Sequence, residues 1–84
     1  MMIYKKLVAK FGRDNRRMKC CEELAELIQA IAKDDRANIL EEMCQVRHQL
    51  KMIEIVYGFT LTEITKQNHT ELKKLEALLD GYGV

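Results

Sequence analysis

Apolar residues recur at helical spacing along most of the chain. Residues 2–11, MIYKKLVAKF, put Ile3, Leu7, Val8 and Phe11 on one face, which predicts a short helix or ordered arm. Gly12 ends it, and Asp14 is the expected cap of the next element. From Asn15 to about Lys33, the positions Met18, Cys21, Leu24, Ala25, Ile28, Ile31 and Ala32 form the stripe of a first long helix. After the polar link 33–37, NILE (38–41) reads as a capping box in which Asn38 caps and Glu41 reaches back. The second long helix runs to Tyr57 on a stripe of Ile39, Met43, Val46, Leu50, Ile53 and Tyr57, and Gly58 stops it. TLTE (60–63) is another capping box. It opens a third long helix with Leu61, Ile64, Asn68, Leu72, Leu75 and Leu79 on one seam, and GYGV follows. Short linkers predict antiparallel neighbours in an all-α helical bundle, three long helices plus a short N-terminal one, as a single domain over residues 1–84.

Size changes this picture first. A chain of 84 residues buries only about 60–65% of its unfolded surface, so its own core is marginal and a homo-oligomer is expected. The absence of proline and tryptophan and the abundance of strong helix formers agree with an all-α fold. Lys and Arg number 14 against 13 Asp and Glu, and the net charge of +1 argues against nucleic acid or an anionic membrane as partner. Cys20, Cys21 and Cys44 are an odd count without CxxC spacing, which points to reduced thiols in the cytoplasm and away from zinc. The segment MMIYKKLVAKFGR has no long apolar run, so neither a signal peptide nor a spanning helix is expected.

The chemistry concentrates in CCEELAELIQAI, residues 20–31. Glu23 and Glu26 are three apart, about 60° apart in projection, and border the apolar stripe. Glu42 and Gln45 repeat that spacing on the second long helix. If the two helices pack antiparallel, the pairs face each other and form a hard-oxygen cage of the kind magnesium accepts, with water and phosphate in its other positions. The plainer reading is a solvated acidic face tied by neighbouring lysines, with Lys19 within reach of Glu22 or Glu23.

EELAE (22–26), then fifteen residues, then EMCQ (42–45), resembles the EExxE…ExxD motif of MazG-like nucleoside triphosphate pyrophosphohydrolases and the related all-α dimeric dUTPases. The resemblance covers roughly residues 15–65 and includes the helix, short loop, helix layout. It implies an α-helical bundle assembled as a homodimer or homotetramer. The reaction implied is magnesium-dependent hydrolysis of a (d)NTP between the α and β phosphates, giving (d)NMP and pyrophosphate. Glu23, Glu26, Glu42 and Gln45 would be the metal positions, Glu22 and Glu23 the catalytic pair, and Lys19 a phosphate contact. Lys66 and Asn68 are candidates for the Lys and Asn that the family places near the phosphates, although their spacing departs from its pattern.

Gln45 stands where the family has Asp. An amide offers one carbonyl oxygen and no charge, so cation affinity and any general-base role should fall. Three explanations compete: a site turned to binding or regulation, an inactivating substitution, or compensation by Gln49 or Glu41. The alternative function is therefore a catalytically inactive interaction or regulatory protein on the same fold.

The remaining polar residues change little. His48 and His69 lack ligand partners at i+4, and His48 falls off the second stripe, which predicts a solvated face. Cys44 reads as a small buried filler. Asn68 interrupts an apolar seam and reads as a register-setting residue more readily than as a ligand contact. Arg13, Arg16, Arg17 and Lys19 oppose the helix dipole, as solvated charge or as a guide for triphosphate. No glycine-rich phosphate loop is present.

Overall fold

The computed structural model describes residues 2–81, so the last three residues of GYGV lie outside the described part. It contains α1 (Met2–Phe11), α2 (Arg13–Ala32), α3 (Arg36–Tyr57) and α4 (Leu61–Leu79), with no strand among the described residues. The all-α expectation holds.

Two helix starts differ from the sequence reading. Gly12 adopts φ 86°, a region costly for any side chain, and begins α2 earlier than Asp14 would have. Asp14 instead lies in the first turn and pairs with Arg17 at 3.2 Å. The second difference arises because Asp34 takes a left-handed φ of 55° and turns the chain so that Asp35 is extended. The Asp35 carboxylate then accepts the backbone N–H of Asn38 at 3.2 Å. Asn38 is therefore inside the first turn of α3, and the NILE capping box does not form. A carboxylate at that position also complements the helix dipole.

The other two signals form as read. Gly58 ends α3 at φ 68°. Thr60 and Glu63 close a reciprocal capping box, with Thr60 Oγ1 accepting from Glu63 N–H at 3.1 Å and Glu63 Oε2 accepting from Thr60 N–H at 2.7 Å.

α2 and α3 form the central pair, and α1 lies against α3 and the edge of α2. The pair is antiparallel, because Arg16 meets the Met52 sulfur at 3.9 Å far from the connecting turn while Glu26 and Glu42 meet nearer it. Its small core is Cys20, Ala30, Val46 and Met52. Tyr4 anchors α1 by a 2.6 Å hydrogen bond to His48 Nδ1, and the Arg16 guanidinium lies 4.8 Å over the Phe11 ring. His48 is exposed, as expected, and also has a structural partner in Tyr4. Cys44 is exposed and is not a core filler.

α4 departs from the expected bundle, for it packs against none of the other three helices. Local terms alone hold it: the capping box and the Gln67–Glu71–Lys74 side-chain contacts. Thr60→Ala should cost α4 about 1 kcal/mol of helix stability. Circular dichroism will show the lost helicity, and within one chain no contact carries that loss to α1–α3.

Candidate metal centre

The inner face of α2 is more polar than its stripe suggested. Cys20, Glu23 and Ala30 are the residues buried there, three and then seven residues apart, a helical spacing that turns Glu23 toward α3. Glu42 is buried on the facing side of α3, beside Val46. Glu26, one turn after Glu23, stays exposed and leaves the arrangement open on one side.

Glu23, Glu26 and Glu42 each present a carboxylate oxygen within 4.8 Å of the others. Glu23 is 5% exposed and Glu42 8%. Lys19 Nζ lies 3.2 Å from Glu23 Oε1 and occupies that oxygen. Glu23 Oε2 and Glu42 Oε2 are buried with no hydrogen-bond partner, and so is Gln49 Oε1, two turns along α3. All three orphans are acceptors, so none can satisfy another; only a donor or a cation can.

The charges agree with the geometry. Burial first, then the close approach of Glu26 and repulsion from Glu23 and Glu41, hold the Glu42 carboxyl above its ordinary range. Two carboxyls this close share a proton or a positive ion. Lys19 is pushed above its usual range by its hydrogen bond to and the charge of Glu23, then by Glu22. With Lys19 neutralising one of three carboxylates, the cluster has a deficit of about two positive charges, which a divalent cation matches. Oxygen-only donors suit a hard ion. The residues present therefore fit a divalent metal.

The other candidate residues divide. Gln45 is half-buried one turn past Glu42 on the same helix, at the rim of the cluster. Glu22 is exposed, outside the cluster, and acts on it through Lys19. Lys66 and Asn68 are on α4, where with Phe59 and Ile64 they border an open groove of about 690 Å³. Because α4 packs on none of the helices that carry the carboxylates, one chain does not bring Lys66 and Asn68 to Glu23, Glu26 and Glu42. The sequence reading missed the Tyr4–His48 bond; the only signal for it was a tyrosine in a short arm that otherwise had no polar anchor.

Comparison of the chain with models of protein families, with curated proteins and with solved structures finds no match. Among the described residues no helix is long and apolar enough to cross a membrane.

Proposed function

We propose that the chain binds magnesium through Glu23, Glu26 and Glu42, with Gln45 at the rim, and hydrolyses a nucleoside triphosphate to the monophosphate and pyrophosphate. The observation that carries this reading is the pair of buried, unpartnered oxygens Glu23 Oε2 and Glu42 Oε2 in a three-carboxylate cluster. The substrate class and the reaction come from the resemblance of EELAE and EMCQ to the MazG-like motif, which also implies a homodimer or homotetramer, while the cysteine pattern points to a cytoplasmic protein.

The bound metal would supply charge stabilisation at the phosphoryl oxygens. Water attacks the α-phosphorus, the bond to the bridging oxygen breaks, and pyrophosphate leaves. Glu23 and Glu42 hold the buried side of the site. Glu26 and the exposed Glu22 lie where a water can be oriented and its proton accepted. Lys19, paired with Glu23 at the edge of the cluster, would meet a phosphate.

The second reading is a regulatory protein that binds metal and nucleotide without turnover, and Gln45 favours it, since the rim offers an amide where the motif has a carboxylate. The assay is pyrophosphate release from the common (d)NTPs with and without magnesium. Metal-dependent release supports the enzyme. Nucleotide binding by calorimetry without release supports the regulator, and neither activity nor binding ends both.

A further inference from the structure

Three apolar stripes legible in the sequence are left uncovered by the folded chain. On α2, Leu24, Ile28 and Ile31 are exposed; on α3, Met43, Leu50 and Tyr57; on α4, Leu61, Leu72, Leu75 and Leu79, the last 89% exposed. The first two sets belong to one surface. Helical projection, with His48 marking the α1 side of α3, turns both sets to the face of the α2–α3 layer opposite α1. Arg13 lying 4.7 Å over the Tyr57 ring joins the two helices on that same side.

The excess surface is large. A folded monomer of 9.8 kDa exposes about 5,200 Å². This chain exposes 6932 Å², roughly 1,700 Å² more than that scaling gives. Its radius of gyration is 15.5 Å, against about 12 Å for a compact chain of this length. Two copies that each buried the excess would form an interface of about 3,400 Å², within the span of obligate homodimers.

We propose that two copies of this chain exchange α4, each laying the seam Leu61–Ile64–Leu72–Leu75–Leu79 across the open α2–α3 face of the other. The chain itself then supplies both surfaces, a projecting apolar helix and an apolar trough to receive it. Charge permits the pairing, because α4 carries three Glu and three Lys and brings no net charge to the partner. Asn68, the polar residue in the seam, costs some stability there and fixes the register of docking. Glu22 and Glu26 project toward the α1 side by the same helical geometry, so the exchange leaves the carboxylate cluster open. The inference rests on packing alone and does not depend on the catalytic reading.

Light scattering on the metal-free full chain tests it. Twice 9.8 kDa is the expected mass; a monomer overturns the proposal and assigns both surfaces to a different protein. Leu72→Lys with Leu75→Lys should give a monomer in which α1–α3 stay folded, since within one chain they do not touch α4, and circular dichroism checks that they do. Ile28→Lys, on the receiving face, should also give a monomer with its helicity retained. Mixing the two variants then decides the arrangement, since each hetero-pair keeps one intact seam-on-face contact. Recovery of a dimer on mixing is expected. If mixing recovers nothing, or if the α4 variant stays dimeric, seams pair with seams or faces with faces and the exchange is wrong.

Discussion

Replacing Glu42 with Gln will stabilise the cation-free protein at neutral pH and remove most of its response to divalent ions. Glutamine keeps the volume and one carbonyl oxygen but ends the crowding of Glu42 against Glu26 and Glu23. Wild-type chain should gain about 2.7 kcal/mol from a cation at a hundred times its Kd. At about 4–8 °C per kcal/mol for a domain of this size, that is a Tm rise of more than roughly 10 °C. In the Glu42→Gln chain the rise should nearly vanish, and manganese affinity should fall by more than the ~10–100-fold typical of losing a group one shell further out. The measurement is thermal unfolding with and without manganese. A wild-type Tm indifferent to divalent ions, or a variant less stable than wild type without them, would sink the cage.

The pH dependence follows with a definite sign. Glu42 has a folded-state pKa above its ordinary value of 4.5, so the folded chain holds its proton more tightly than the unfolded one. Its contribution is most favourable below that ordinary value and is lost as pH rises through the raised one. Cation-free stability should therefore decline across that window on the way to neutral pH, and the decline should be absent in Glu42→Gln. A bound cation opposes it, because it takes the place of the proton between Glu42 and Glu26.

Much of the fold was legible from local rules. Gly58 and the Thr60–Glu63 box are encoded within a few neighbouring residues and formed as read. The start of α3 was misread because Asp35 and Asn38 are both good caps, and the left-handed turn at Asp34 decides between them. Periodicity found the helices but not their rotation. Met18, Leu24, Ile28 and Ile31 form the most apolar stripe of α2, yet α3 covers Cys20, Glu23 and Ala30 instead. A stripe says that a face wants burial, not which chain provides it. The carboxylate cluster was legible for a related reason. Spacing put Glu23 and Glu26 on one side of α2 and Glu42 at the matching level of α3, and antiparallel pairing did the rest. The placement of Lys66 and Asn68 was not legible, since nothing in α4 states that it leaves the body.

Gln45→Asp carries the other large effect, and it acts in opposite directions with and without metal. A fourth carboxylate at the rim adds repulsion to a cluster where Glu42 is already raised by burial and by its neighbours, so the cation-free variant should melt below wild type. With manganese present the same charge becomes a ligand, and affinity should rise roughly tenfold or more. The gap between Tm with and without cation therefore widens from both ends. Gln45→Asn separates charge from length: it shortens the amide equally and should show neither change. A Gln45→Asp chain that binds manganese no better than Gln45→Asn would place Gln45 outside the site. Pyrophosphate release then separates the two functional readings. Release that appears or rises in Gln45→Asp means that Glu22, Glu23 and Lys19 are competent and that the amide alone limits turnover. Tighter metal binding without any release means that the cage is a regulatory cation site, in which the missing carboxylate was only one of several departures from an enzyme.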